Sequence, residues 1–367
     1  MKKYLVGGAV RDYLLGIADD NTEKDWLIVG SSPEEMLDLG YRQVGKEFPV
    51  FLHPGTQEEY ALARVERKVG KGYKGFEFDT SKSVTLEQDL SRRDLTINAI
   101  AQKDGVLFDP FNGQADLNNG LLKHISTAFS EDPVRILRVA RFAARFKKFG
   151  FKVAHPTHQL MQQMVTLGEV DALTPERVFK ELEKSLSYTT PSPFFKVLLA
   201  CGAYARVFPA LKIPDNLPHQ NPFLILDNLN TKPQIKFAIW LKDEKQTAIT
   251  ALCKRIKCPK KYQELSKLVN QYHHFANKFD TQSSNEIVDF FAKTDALRRQ
   301  ERFTELLTTF ELLDIDVSRI IELRNLLNAI DISQLNPENI GVEIQAKRRN
   351  VIALYQNIRP TPTNTIL

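Results

Sequence analysis

The chain has 367 residues, of which 43% are hydrophobic and 26% charged, and its 50 Lys and Arg against 45 Asp and Glu give a formal net charge of +5. This composition is that of a globular protein, and it excludes disordered, collagen-like and disulfide-scaffold chains. The length predicts two or more compact units, and the small positive excess permits an anionic partner without requiring one. With three cysteines and no run of about 18 uncharged apolar residues, we expect a cytoplasmic protein with no membrane partner. Its oligomeric state stays open.

Short apolar runs alternate with turns from residue 3 to about 125, which predicts a mixed α/β unit with helices near 9–15 and 33–39. From residue 131 the apolar spacing becomes helical, so the rest of the chain is predicted to be α-helical. Thr174 followed by Pro175 is a helix start. Five prolines between Pro209 and Pro233 mark this stretch as the expected linker.

The first segment with chemical meaning runs from Leu5 to Asp12, where a predicted strand passes through Gly7 and Gly8 into a helix. Glycines without Cβ atoms let backbone N–H groups approach a phosphate closely, and Arg11 lies within reach of the same anion. A simple tight turn is the alternative.

The second segment places Glu23 and Asp25 at the start of the apolar strand Trp26 to Val29. Since side chains alternate along a strand, both carboxylates share one face, which suits two acids that share Mg²⁺ ions with a triphosphate. A solvated strand edge would give the same pattern.

The third segment contains the pair Arg92 and Arg93, followed by Asp94. Arginine forks bind phosphate or a ribose edge, and Asp94 is expected to hold one of them in place. Taken alone, the pattern favours a solvated helix.

The fourth segment begins with Asp132 and Pro133, read as N-cap and first helical residue, and continues with Arg135, Arg138 and Arg141 on one helix flank. A carboxylate accepts from an exocyclic amine, and a guanidinium donates to a ring nitrogen. Cytosine and adenine both present an amino group beside a ring-nitrogen acceptor, whereas uracil and guanine present the reverse order. One Asp and one Arg can therefore accept C and A; an amphipathic helix with a basic face is the alternative.

In order and spacing, the four segments resemble the class II tRNA nucleotidyltransferases, the CCA-adding enzymes, and most closely their bacterial branch. The resemblance covers roughly residues 1–210 and includes the runs 45–64, 108–113 and 173–178. The run 108–113 is expected to be a hairpin. The resemblance implies an α+β protein in which an α/β nucleotidyltransferase head with a mixed sheet is followed by an all-α neck, body and tail. The expected domains are a catalytic head at 1–125, a nucleotide-recognition and RNA-binding neck at 126–210, and a tRNA-binding body and tail at 211–367.

The resemblance also implies an activity, the Mg²⁺-dependent addition of C, C and A to the tRNA 3′ end from CTP and ATP with release of pyrophosphate. An A-adding enzyme, a poly(A) polymerase and a catalytically impaired tRNA-binding homologue are the alternatives. By resemblance, the metal ligands are Glu23 and Asp25, and the nucleotide-binding residues are Gly8, Arg11, Arg93, Asp132 and Arg135, with Arg138 and Arg141 nearby.

The sequence departs from the family at two places. The family's metal motif is Asp-x-Asp, whereas this chain has Glu23 at the first position. Some members carry the His-Asp pair of a phosphohydrolase module, and at that place this chain has Lys242 before Asp243. Three weaker candidates remain: Glu59 as a third acid, a loose zinc set and a basic RNA-binding run. The zinc set comprises Cys253, Cys258, His273 and His274, and the basic run comprises Lys254, Arg255, Lys257, Lys260 and Lys261.

Overall fold

A computed structural model describes residues 1–44, 50–68, 76–213, 223–331 and 339–358. The chain divides into two compact units, Met1–Pro209 and Ala210–Leu367. The predicted proline-rich linker, residues 209–233, falls partly on 214–222, and the run 45–64 falls partly on 45–49; residues 214–222 and 45–49 lie outside the described residues.

The first unit is built on a seven-stranded sheet with the order β3-β4-β5-β2-β1-β8-β9, beside the two-stranded pairs β6-β7 and β10-β11. In the large sheet β2 and β5 are parallel and the other neighbours antiparallel, so the predicted mixed sheet is confirmed. The strands are β1 (Lys2–Val6), β2 (Asp25–Val29), β3 (Arg42–Val44), β4 (Val50–Leu52), β5 (Glu59–Leu62), β6 (Val65–Lys68), β7 (Phe76–Asp79), β8 (Ala101–Lys103), β9 (Val106–Phe108), β10 (Leu121–Leu122) and β11 (Lys152–Val153).

Both faces of the large sheet are buried. Leu27 belongs to an apolar cluster on one face and its neighbour Ile28 to a cluster on the other, as the alternation of side chains along a strand requires. Burial on both faces explains why the strand Trp26 to Val29 reads as a continuous apolar run, and it leaves the strand ends as the places for polar groups.

Nine α-helices in the described part of the first unit accompany this sheet. They are α1 (Gly8–Leu14), α2 (Pro33–Asp38), α3 (Leu86–Ser91), α4 (Gly113–Asn118), α5 (Val134–Arg145), α6 (His155–Thr166), α7 (Pro175–Leu186), α8 (Ser192–Ala200) and α9 (Ala203–Val207). The apolar stripe predicted from 131 onward is the buried face of α5, which packs against α7 and α8.

Three local predictions differ from the structure. α5 begins at Val134, so Pro133 rather than Asp132 is its N-cap, although the Asp132 carboxylate accepts the N–H of Val134 at 3.1 Å. Thr174 is the N-cap of α7 but makes no side-chain capping bond. The run 108–113 is the turn from β9 into α4 rather than a hairpin.

The second unit is helical throughout its described residues, with α10 packed against α12 and α14, and together with the sheet of the first unit it gives the predicted α+β protein. Its helices are α10 (Pro233–Trp240), α11 (Gln246–Arg255), α12 (Lys260–Asn277), α13 (Ser284–Lys293), α14 (Gln300–Glu311), α15 (Ser318–Asn328) and α16 (Ile340–Ile358). Among the described residues, no helix combines the length and the apolar character that crossing a membrane requires.

Candidate active site

One cavity of about 640 Å³ in the first unit gathers residues from all four predicted segments. It lies at the sheet edge where β1 ends and β2 begins, because Val6 pairs with Asp25. Ten Arg or Lys side chains and four carboxylates line it, an excess of positive charge that suits a polyanionic ligand. All predicted site residues line this cavity, namely Gly8, Arg11, Glu23, Asp25, Arg93, Asp132, Arg135, Arg138 and Arg141.

The acidic side of the cavity consists of Glu23 and Asp25, with Glu59 beside Asp25 in the register of β2 and β5. Because β2 begins at Asp25, Glu23 lies before the strand, and the predicted sharing of one strand face does not apply to it. Solvent reaches Asp25, but the surrounding protein raises the pKa of its carboxyl by desolvation, and the charges of Glu59 and Glu23 raise this pKa further while Arg93 opposes them. A bound cation would relieve this repulsion between like charges. Mg²⁺ is commonly held by one or two carboxylates together with substrate phosphates, so the oxygen donors present fit such an ion.

Gly7, rather than Gly8, is the glycine whose backbone the site requires. Gly7 has a φ of +69°, and a Cβ added there would lie 2.7 Å from Nη1 of Arg93. A Cβ at Gly8 would make only an ordinary contact, 3.5 Å from Nη2 of Arg11. Any side chain at position 7 would therefore strain the turn and displace Arg93, a requirement that the sequence analysis did not assign to this residue.

Arg11 is buried against the cavity wall, with 3% of its surface exposed. Its Nε donates to Asp12 Oδ1 at 2.9 Å, its Nη1 donates to the side chain of Asn98, and its guanidinium lies 5.2 Å from the ring centre of Phe142. Burial lowers the pKa of Arg11, and the charge of Asp12 opposes this effect. Because Asp12 also accepts from Arg145 at 2.7 Å, Arg11 belongs to a fixed charged network.

The paired arginines of the third segment are held by Asp89, not by Asp94 as predicted. Asp89 is fully buried near the end of α3, and its Oδ1 accepts from Arg92 at 2.7 Å while its Oδ2 accepts from Arg93 at 3.2 Å. Burial raises the pKa of Asp89, but the two arginines outweigh burial and lower it overall. The Nε of Arg93 is buried without a hydrogen-bond partner among the described residues, and such a donor is normally satisfied.

Asp94 instead binds Arg138 of α5. Its Oδ2 accepts from Arg138 Nε at 2.6 Å, and its Oδ1 accepts from Asn98 Nδ2 at 2.8 Å. Burial raises the pKa of Asp94, but Arg138 and the hydrogen bond from Asn98 outweigh burial, so this pKa lies below its ordinary value. The sequence order of Asp94 beside Arg93 gave no sign of a partner 44 residues away.

Asp132 and Arg135 both face the cavity, but the partner of Asp132 is Arg177 of α7. Arg177 donates to Asp132 Oδ1 at 3.0 Å and to Oδ2 at 2.7 Å, the two-pronged geometry of a strong carboxylate–guanidinium pair. Arg135 donates to the backbone carbonyls of Ala128 at 3.0 Å and Arg92 at 2.6 Å. Arg177 lies in the run 173–178 that resembles the family, but only the packing of α7 beside α5 reveals its contact with Asp132.

Arg141 lies deeper on the same helix flank. Its Nε donates to Glu181 of α7 at 2.5 Å, and its Nη1 donates to the hydroxyl of Tyr188 at 3.1 Å. Arg138 and Arg141 therefore form part of a paired charged layer rather than the solvated basic face that was the alternative interpretation of α5.

In the second unit, the loose zinc set is not assembled. The only cluster of three or more metal-binding side chains in the described part of the chain is Asp243, His273 and His274, so neither cysteine takes part. The carboxylate of Asp243 is ion-paired with Lys242 and lies 3.2 Å from His273 Nε2.

Comparison with known proteins gives the family of the chain. Residues 3–123 match the poly A polymerase head domain, and residues 150–213 match a probable RNA and SrmB-binding site of polymerase A. The chain is 46% identical over 356 residues to a CCA-adding enzyme of Coxiella burnetii, a match that covers 95% of this chain and 92% of the relative. It belongs to the CCA-adding enzymes. A multifunctional CCA protein of Nitrosococcus oceani is 47% identical over 345 residues, which cover 85% of this chain and 84% of the relative.

Solved CCA-adding enzymes share the fold. An apo form has a TM-score of 0.67 at 22% identity, with 97% of this chain and 91% of that chain covered. The Thermotoga maritima CCA-adding enzyme complexed with tRNA has a TM-score of 0.64 at 20% identity, with the same two coverages. Family membership thus rests on the sequence relatives, and the structures support the architecture.

Proposed function

We propose that this chain adds C, C and A to the 3′ end of tRNA without a nucleic-acid template, using CTP and ATP and releasing pyrophosphate. The observation that carries the proposal is a single cavity that joins the acidic residues Glu23 and Asp25 to the base-reading candidates Asp132 and Arg135. The membership of this chain in the CCA-adding enzymes supports the same activity.

Glu23 and Asp25 would hold Mg²⁺ at the acidic side of the cavity, with Glu59 close to Asp25. When bound, Mg²⁺ favours deprotonation of the attacking 3′ hydroxyl and neutralises charge on the phosphates. The contribution of the chain is to place both carboxylates in the lining of the same cavity as the cationic side chains.

The triphosphate would lie against Gly7, Gly8 and Arg93. The orphaned Nε of Arg93 is a buried donor that a phosphate oxygen would satisfy. The absence of a side chain at Gly7 keeps Arg93 in place and lets the ligand approach the backbone. Arg11 adds positive charge to the same part of the cavity, while its hydrogen bonds to Asp12 and Asn98 keep it fixed.

The base would be read by Asp132 and Arg135. Oδ1 of Asp132 already accepts from Arg177 and from the Val134 N–H, whereas Oδ2 accepts only from Arg177 among the described contacts. A carboxylate oxygen has two lone-pair sites, so Oδ2 can take one more donor, such as the amino group of cytosine or adenine. Arg135, with five N–H donors, would supply the bond to the ring nitrogen.

The predicted division into a head at 1–125, a neck at 126–210 and a body and tail at 211–367 belongs to this proposal, with the last part binding tRNA in the cytoplasm. The basic run Lys254 to Lys261 supplies five positive charges in that region. Such charges bind RNA phosphates with little dependence on sequence.

The proposal is tested with tRNA transcripts that end before the first C, after one C and after both, each incubated with Mg²⁺ and one labelled NTP. CTP should extend the first two transcripts and ATP the third, with little incorporation of UTP or GTP. Incorporation of ATP alone would identify an A-adding enzyme, and tRNA binding without any incorporation would identify an impaired homologue. Asp38 is an exposed carboxylate on α2 outside the cavity, so Asp38→Asn serves as the matched control for substitutions of Glu23 and Asp25.

A further inference from the structure

The end of helix α11 brings two cysteines together. The N–H of Cys258 donates to the carbonyl of Cys253 at 3.1 Å, the N–H of Lys257 donates to that of Lys254 at 3.4 Å, and Lys257 has a φ of +48°. These two bonds around a left-handed residue define a Schellman motif. In this motif the side chains of the first and last residues, Cys253 and Cys258, come into contact.

The two thiols are hydrogen-bonded to each other and differ in exposure. Cys253 is buried, with 4% of its surface exposed, whereas Cys258 is only partly buried. The hydrogen bond from Cys253 lowers the pKa of Cys258, and the same bond, together with burial, raises the pKa of Cys253. Cys258, the more exposed of the two and the acceptor of this hydrogen bond, is therefore the sulfur that solvent reaches and that favours the thiolate, the reactive form of cysteine.

We propose that Cys253 and Cys258 form a redox-active dithiol that closes to an intramolecular disulfide when a peroxide oxidises Cys258. The Cys258 thiolate attacks one oxygen of hydrogen peroxide, the O–O bond breaks, and Cys258 becomes a sulfenic acid while hydroxide leaves. The sulfur of Cys253 then attacks that of Cys258, and its proton and the departing hydroxyl leave as water. Peroxide is thereby reduced by two electrons, and the dithiol is oxidised by two.

The backbones of the two residues already lie next to each other, because they are joined by a hydrogen bond, and this closeness is what a disulfide between them requires. A disulfide in a reducing compartment is normally transient, so a pair of this kind acts as a reversible sensor of oxidant rather than as a structural staple.

Cys201 provides an internal reference. Only 3% of its surface is exposed, its Sγ donates a hydrogen bond to the carbonyl of Leu198, and burial raises the pKa of its thiol to about 11. Cys201 should therefore react slowly with peroxide under native conditions. It lies in the first unit, whereas Cys253 and Cys258 both lie in the second.

The test uses the reduced full-length protein, treated with hydrogen peroxide under native conditions, alkylated and mapped by mass spectrometry. We expect a Cys253–Cys258 disulfide that dithiothreitol reverses, formed at least about 10-fold faster than any oxidation of Cys201. Cys253→Ser should leave a sulfenic acid at Cys258 that dimedone traps, Cys258→Ser should abolish rapid oxidation, and Cys201→Ser should change neither result. The mass-spectrometric map of cysteine oxidation in the wild-type protein tests the proposal even if a variant fails to fold.

Two results would overturn the proposal. In one, Cys258 is oxidised to sulfinic acid without linkage to Cys253. In the other, Cys258 is no faster than Cys201 in native protein. Either result would show that the contact imposed by the Schellman motif has no redox consequence.

Discussion

The two sides of the cavity are built in opposite ways. On the acidic side, the carboxylates of Glu23 and Asp25 accept no hydrogen bond from any described residue. On the cationic side, Arg11, Arg138 and Arg177 are each ion-paired with an aspartate. The cationic side is therefore held in place by ion pairs within the chain, since breaking a buried pair leaves an uncompensated charge, whereas the acidic side has no such internal partners.

The largest test of this contrast is Asp25→Asn, which keeps the shape of the side chain but removes its charge. Nucleotide addition should fall by about 10²- to 10³-fold or more, because the amide would hold Mg²⁺ less well and the charge on the reacting phosphate would no longer be neutralised. Binding of tRNA should stay within a few-fold, since that affinity comes from many phosphate contacts. Single-turnover rates and filter binding measure the two quantities, and near wild-type addition would remove Asp25 from the site.

On the cationic side, Asp132→Asn should lower the preference for CTP and ATP over UTP and GTP by about 1–3 kcal/mol, with a smaller effect on the rate of addition. Arg177→Met should reduce the same preference, because it removes the partner that orients Asp132. The matched control is Arg206→Met, which breaks the exposed pair with Asp171 and should leave selectivity unchanged. If Asp132→Asn keeps the full preference, Asp132 serves only as a cap for α5.

A smaller effect is expected at Glu23, where the acidic side departs from the family's Asp-x-Asp. The extra methylene displaces the carboxylate by roughly 1.5 Å, and Mg²⁺ demands nearly ideal octahedral geometry. We expect Glu23→Asp to raise the turnover rate several-fold with Mg²⁺, and Mn²⁺ to narrow the difference between the two proteins. A lower rate would mean that the backbone has adjusted to glutamate, and equal rates in both metals would mean that position 23 does not bind the ion.

The smallest effect concerns the stability of the cationic side. The pKa of Asp94 is lower in the folded state than the ordinary value near 3.9, so its contribution to stability is complete above about pH 4 and is lost as the pH falls below that value. Asp94→Asn should therefore lower stability by about 1–3 kcal/mol at pH 7, with a difference that shrinks under acid. Thermal unfolding at pH 7 and pH 3 measures it, and Asp104→Asn, at an exposed loop, is the control. A difference that does not change with pH would exclude the ionic role.

Some features of the site were evident from residues close in sequence. The helix flank that carries Arg135, Arg138 and Arg141 follows from the helical period, and all three line the cavity. The Schellman pair Cys253 and Cys258 is also local, but the spacing of these cysteines in the sequence indicates only a weak zinc set, because it does not reveal the left-handed residue at 257.

The periodicity of the chain is enough to predict alternating strands before residue 125, helices after 131, and four polar segments at the ends of those elements. The pairing of charges that are distant in sequence depends instead on how the elements pack: Asp94 binds Arg138, and Asp132 binds Arg177. The pairs of Asp89 with Arg92 and Arg93 differ, because they lie at the i,i+3 and i,i+4 spacing of neighbouring helical turns and are local. The physical reason is distance: an ion pair depends on a few ångströms between side-chain tips, and for helices 40 or more residues apart that distance is set by packing, about which the spacing of residues along the chain carries no information.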